Sequence, residues 1–300
     1  MRSGISTKAA VVGAVGAVLA AATACSGGAG TGDGVRLVTS VYPLEWLATQ
    51  IGGEDVLVTN LTEPGVDPHD LELSPRQVGS VSDADVVFYI GGMQPAVDDA
   101  VGQQAAGSAL DVAGLVELRQ VPDDAGGGTD PHMWLDPERM ATAAQGLADR
   151  LAEADPGNAA AYQANTEAVV AELTGIDDAY ATGLAECGQR DLVVSHAAFG
   201  YLADNYDLEQ IGVTGIESNS EPSPARLAEV ARLVEERGVE TIFTATLVDP
   251  AIAETIASEA GVETAVLDPL EGITDASPGT DYPSVMRANL DALTTALDCS

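Results

Sequence analysis

Apolar residues fall along this chain in two patterns: short blocks rich in them, of which "ADVVFYIGG" is the most continuous, and longer stretches in which they recur every three or four positions. The blocks "VRLVTSV", "DVLVTNL" and "ADVVFYIGG" in the first half, and "DLVVS", "LEQIGVTG", "ETIFTA" and "ETAVLD" in the second, predict β-strands. Unbroken apolar strands separated by helices indicate parallel sheets covered on both faces. The intervening stretches predict helices. "PLEWLATQIGG" runs to a glycine stop, and a second helix starts after Ser74 as N-cap. "DPERMATAAQGLADRLAEA" has Asp136 as N-cap and Pro137 in its first turn. "AFGYLADNY", "SPARLAEVARLVEERG", "AIAETIASEAG" and "YPSVMRANLDALTTALD" supply the helices of the second half.

Between the halves, Asn158 to Glu186 carries apolar residues at Val169, Leu173, Ile176, Tyr180 and Leu184. That spacing is one face of a single helix about 40 Å long. A chain of this length suits two cores better than one. The expected fold is α/β, with two lobes, each a parallel-type sheet flanked by helices, joined by one long rigid helix. The expected divisions are 35–155 for the first lobe, 156–187 for the linking helix and 188–300 for the second lobe.

The first residues follow a different pattern. Arg2 and Lys8 precede the apolar run "AAVVGAVGAVLAAATA", which is short for a membrane span and has the flanks of an export signal. It ends in "AATACSGG", which resembles the lipobox of bacterial lipoproteins, with Ala22 where leucine is usual. The resemblance implies a signal over 1–24, a lipidated Cys25 that anchors the protein to the outer face of the cell membrane, and a glycine-rich tether over 25–34.

Loss of the signal takes the formal charge from −35 to −37 and removes the chain's one lysine. So negative a chain is repelled by nucleic acid and by anionic surfaces. Scattered acidic side chains do not by themselves make a metal site, but their summed field concentrates cations. Two further cysteines, Cys187 and Cys299, lie 112 positions apart without metal-ligand spacing. In an exported protein such a pair predicts a disulfide.

Histidine is scarce: three in 300 residues. His69 and His132 both stand directly behind Asp-Pro, in "GVDPHDLELSPRQ" and "TDPHMWLDPERM". His196 follows the strand "DLVVS", and Asp268 follows "ETAVL". In open α/β sheets, ligand-contacting residues sit beyond the carboxyl ends of strands. The rigid Asp-Pro limits backbone freedom ahead of each histidine. Three imidazoles and one carboxylate make a four-coordinate set for a divalent transition metal, zinc above all.

In order along the chain, "VYPLEWLATQIGG", "PGVDPHDLELSPRQ", "DPHMWLDP", "VSHAAFGYLADNY", "EPSP", "LDPLEG" and "YPSVMRANLDAL" resemble the zinc/manganese solute-binding proteins of ABC transporters, from about Val35 to Cys299. The resemblance implies a metal held between the lobes by His69 and His132 from the first and by His196 and Asp268 from the second. Glu271, Asp275 or a water is the alternative fourth ligand. It also implies a permease with a cytoplasmic ATPase as partners, and a monomeric receptor that is not an enzyme. The stretch "VPDDAGGGTD" is short and has no histidine, so the His-rich loop of many zinc-selective members is missing.

Manganese carriers of this family usually have a carboxylate at the place of His196, so an imidazole there favours zinc, with manganese the alternative cargo. A zinc hydrolase would also use three histidines, but no His-Glu-x-x-His is present. A surface adhesin on the same scaffold would need a large aromatic pocket, and aromatic residues are 4% of the chain. Metal affinity is expected to fall below about pH 6, because imidazole must be neutral to bind. The long helix is expected to limit opening to small motions.

Overall fold

Among the described residues there are two four-stranded parallel sheets with the same order: β2-β1-β3-β4 in the first and β6-β5-β7-β8 in the second. The first comprises β1 (Val35–Thr39), β2 (Val56–Asn60), β3 (Val86–Tyr89) and β4 (Ala109–Asp111). The second comprises β5 (Asp191–Val194), β6 (Glu209–Gly212), β7 (Thr241–Thr244) and β8 (Glu263–Val266). The central strands β1, β3, β5 and β7 are almost wholly buried. This is why they read as unbroken apolar blocks.

This computed structural model describes residues 34–121, 127–218 and 220–300, besides Met1 and Gly4. The expected export signal, Cys25 and all of the tether except Gly34 lie outside the described residues. Residues 34–300 form one compact unit. Among the described residues, no helix is long and apolar enough to cross a membrane.

The helices of the first half are α1 (Tyr42–Gly52), α2 (Pro75–Asp83), α3 (Pro95–Ala100) and α4 (Pro137–Ala154). Ser74 closes a capping box with Gln77 at the start of α2, and the Asp136 carboxylate accepts from the Glu138 and Arg139 N–H groups at the start of α4. The long helix is α5 (Ala159–Gly183), 25 residues or about 37 Å. It buries Val169, Leu173, Ile176 and Tyr180 on one stripe, and it packs against α4, α1 and α9. The second half adds α6 (Gly200–Asn205), α7 (Pro224–Arg237), α8 (Ala251–Ala260) and α9 (Tyr282–Ala296). Neither α3 nor β4 stands out in the apolar pattern. The first is a single short helix, and the second has three residues, none fully buried.

One apolar core crosses the boundary between the sheets. It includes Leu44, Phe88 and Trp134 from the first half, Tyr180 of α5, and Leu192, Phe243, Leu267 and Tyr282 from the second. Cys187 and Cys299 form a disulfide at an antiparallel bridge, which fastens the C-terminus just beyond the end of α5. On the loop-entropy account this cross-link stabilises by about 4–5 kcal/mol. Cys187→Ser/Cys299→Ser is therefore expected to lower the urea midpoint and, by letting the unfolded chain expand, to steepen the slope. Peptide mapping of alkylated, unreduced protein is expected to find neither cysteine modified. Equal midpoints for the two proteins would contradict this.

Candidate metal centre

His69 and His132 lie in two copies of one local structure. In the Pro68–Asp70 turn, the Asp67 carboxylate accepts from the His69 N–H at 2.9 Å. Ahead of the Met133–Leu135 turn, the Asp130 carboxylate accepts from the His132 N–H at 3.1 Å. The aspartate of each Asp-Pro-His frame thus binds across its proline to the histidine backbone. Proline rigidity alone would not aim the imidazole; the Asp cap does. Gln94, fully buried, donates to the carbonyls of Ser40 and Pro68 at 3.2 and 3.1 Å and so holds the His69 turn against the end of β1. Gln94 had no signal in the sequence.

His196 stands just beyond β5, with its Nδ1 3.1 Å from the Gly215 carbonyl. A carbonyl only accepts, so Nδ1 carries the proton and Nε2 presents a lone pair. His132 is fixed in the same way. Its Nδ1 donates to Asp130 Oδ1 at 2.8 Å, which turns Nε2 toward the other donors. His69 is held less firmly. Its Nδ1 lies 3.8 Å from the exposed Glu217 carboxylate.

The fourth group is Glu271. Its Oε1 lies 3.2 Å from His69 Nε2, 3.2 Å from His132 Nε2 and 3.3 Å from His196 Nε2. His132 Nε2 is also 3.2 Å from both His69 Nε2 and His196 Nε2. In a regular tetrahedron the edge is about 1.63 times the centre-to-vertex distance. Those five separations match the edge of a tetrahedron whose donors lie about 2.0 Å from its centre, the Zn–N and Zn–O bond length, and all four atoms lie within 4.8 Å of one another. All four side chains are buried, His69 to 2% exposure and the others completely.

Asp268 does not join this group, which consists of His69, His132, His196 and Glu271. Its backbone is clamped by Asn289 of α9, which accepts from its N–H at 2.9 Å and donates to its carbonyl at 2.7 Å. Asp268 Oδ1 accepts from the Leu270 N–H at 2.8 Å, so this carboxylate shapes the turn. Leu270 then adopts a left-handed conformation, φ 60°. That reversal in a bulky residue brings Glu271 to the three histidines. Asp275 also lies outside the cluster. Burial and the neighbouring Glu271 charge raise the Asp268 pKa, against the Leu270 hydrogen bond.

Electrostatics follow from the same contacts. Burial opposes charge on His132, but the hydrogen bonds to Asp130 and Glu271 outweigh it and push its pKa up to about 9. Burial also opposes charge on Glu271, yet the three imidazoles hold it well below the usual carboxylate range. At neutral pH the empty site thus holds a proton on His132 that an incoming cation displaces.

Two parallel α/β halves bring three imidazole nitrogens and one carboxylate oxygen, all from buried side chains, into one cluster, a donor set suited to a metal ion. The comparisons give its family. The chain belongs to ZnuA, "zinc-uptake complex component A periplasmic", whose profile matches residues 37–296. It is similar to zinc-binding lipoprotein AdcA of Streptococcus pneumoniae, 33% identical over 291 residues. The alignment covers 92% of this chain and 58% of the relative, so the chain spans little more than half the length of AdcA. High-affinity zinc uptake system protein ZnuA of Bacillus subtilis is 30% identical over 283 residues, covering 89% of this chain and 88% of the relative. The crystal structure of the Zn(II)-bound ZnuA-like domain of S. pneumoniae AdcA superposes with a TM-score of 0.76 at 32% identity, over 88% of this chain and 99% of that one.

Three outcomes check the electrostatics. Because His132 must lose its proton to bind, affinity is expected to rise with pH up to about 9 and then level, an onset well above the pH 6 expected from ordinary imidazoles. Zinc binding at pH 7.5 should release about one proton, read as the buffer dependence of the calorimetric enthalpy. Release of none would contradict the His132 assignment. Asp130→Asn should weaken zinc binding by about 10- to 100-fold, the usual cost of losing a ligand's outer partner. Unchanged affinity would show that Asp130 does not orient the ring.

Proposed function

We propose that this protein is an extracytoplasmic receptor that encloses one zinc ion between His69, His132, His196 and Glu271 and hands it to an ABC-transporter permease with its cytoplasmic ATPase. The observation that carries this is the buried cluster of three imidazole nitrogens and one carboxylate oxygen, five of whose six separations fit a tetrahedron. Zinc takes N and O donors in that geometry at about 2.0 Å. Manganese prefers more oxygen donors and a larger coordination number, so it is the weaker candidate cargo. The names of the relatives, zinc-binding and zinc-uptake proteins, support the same choice.

Four protein donors leave no vertex for an activated water, which separates this site from catalytic zinc sites with three protein ligands. A receptor needs only capture and release. In this proposal residues 35–155 and 188–300 act as the two lobes, 156–187 as the spar between them, and a lipidated Cys25 as the membrane anchor. The site is complete within one chain, so the receptor works as a monomer.

Competitive titration of chelator-stripped protein with zinc and manganese, read by elemental analysis and calorimetry, tests the proposal. One zinc per chain is expected, preferred over manganese. His196→Ala and Glu271→Gln should each weaken zinc by more than about 100-fold, beyond the cost of losing an outer partner. Asp268→Asn, which keeps a side-chain acceptor for the Leu270 N–H, should cost far less. A larger loss in Asp268→Asn than in Glu271→Gln would return the fourth position to Asp268.

A further inference from the structure

With every donor side chain buried, the cargo needs a passage. A cavity of about 280 Å³ meets the site at Glu271, and two of its walls belong to the segments that carry His69 and Glu271. Asn60 and Thr62–Pro64, which lead into the His69 turn, line one side, and Glu271–Ile273 line another. The third wall is α1, through Tyr42, Glu45, Trp46, Thr49 and Gln50. The lining carries three carboxylates and no cationic side chain. Trp46 stacks on Tyr282 with ring centroids 4.8 Å apart, which makes that wall apolar and fixed. Glu45 is half-buried and accepts from Asn60 Nδ2 at 3.0 Å. Burial raises its pKa, with the Asn60 bond drawing it back. A neighbouring cavity between Pro64–Gly65 and Ile273–Thr280 has Asp275 as its one carboxylate and touches none of the four donors.

We infer that the cavity between α1, the His69 loop and the Glu271 loop is the passage by which a hydrated divalent cation reaches and leaves the metal centre, with Glu45 holding the ion on the way. This rests on the metal-receptor proposal above. Low-dielectric walls lined by charge of one sign focus the potential and concentrate counter-ions. Six waters of hydration occupy about 180 Å³, which the cavity accommodates. A small parting of its two loop walls joins it to the buried donors, where the waters are exchanged for imidazole and carboxylate. Glu45 touches the ion only in transit, so it lowers the barrier equally in both directions.

That gives a kinetic signature a structural residue would not produce. Stopped-flow capture of Zn²⁺ and its release to an excess of fluorescent chelator are measured on the full-length protein, Glu45→Gln and Thr49→Trp. Thr49 is exposed on α1, so the larger side chain narrows the cavity without entering the core. Both variants are expected to slow capture and release by the same factor, about three- to tenfold for Glu45→Gln, leaving their ratio unchanged. Glu235→Gln on α7, the same charge change off the cavity lining, should alter neither rate. Capture rates equal to wild type in both variants would overturn the passage. Faster release alone in Glu45→Gln would overturn the transit role and make Glu45 a structural support. If wild-type protein binds no stoichiometric zinc, the receptor proposal itself fails; if it binds zinc and the variants are unaffected, only the passage does.

Discussion

Three imidazole nitrogens and one carboxylate oxygen are held together in the interior of this protein, five of their six separations being 3.2–3.3 Å. Without a cation between them the arrangement is repulsive, relieved only in part by the proton on His132. Desolvated donors that face one another cost free energy unless something positive sits among them. The cost is met by the rest of the fold, which must hold each donor against that repulsion. The outer contacts are arranged for this: Asp130 on His132, the Gly215 carbonyl on His196, Asp67 on the His69 backbone, and the Leu270 reversal behind Glu271.

Donors from two sheets stay in register because the halves are stitched together around them. Trp134, next to the His132 turn, donates from Nε1 to the Pro269 carbonyl at 2.7 Å, and Tyr282 of α9 donates to the Trp134 carbonyl at 2.6 Å. Tyr201 of α6 donates to the Asp130 carbonyl at 2.7 Å and accepts from the Arg119 N–H at 2.7 Å. These bonds tie the His132 loop to the loop that carries Glu271 and to the helix that follows His196. Together with the apolar core that runs across both sheets, they oppose wide hinge bending. The His69 loop has lighter ties to the second half, chiefly a hydrogen bond from Ser218 to Asp67 and the nearby Glu217. Loops with few buried contacts are where local opening costs least.

Much of the fold was legible because burial of the central strands leaves short apolar blocks and a helix stripe leaves a three-four rhythm, although the edge strands β2, β6 and β8 are partly exposed. The three histidines were legible because they are scarce and stand on loops beyond strands. The fourth member of the cluster was legible only as an alternative, Glu271 standing beside Asp268. Asp268 and Glu271 are three residues apart, and both are buried acids in the same loop. What separates them is a left-handed leucine and the clamp from Asn289, twenty-one positions away. Neither leaves a mark in a one-dimensional pattern. Gln94 was silent for the same reason: its partners, Ser40, Thr62 and Pro68, meet it only in the folded chain. β4 escaped because three half-buried residues make no block.

The central claim is that three imidazoles and the Glu271 carboxylate close a tetrahedron around zinc. X-ray absorption at the zinc edge of stoichiometrically loaded protein tests it most directly. Four light donors at about 2.0 Å, with outer-shell scattering from three imidazoles, is the result this structure predicts. Glu271→Gln should change that first shell, and Asp268→Asn should leave it as it is. A six-coordinate ion with longer bonds, or fewer than three imidazoles, would contradict it.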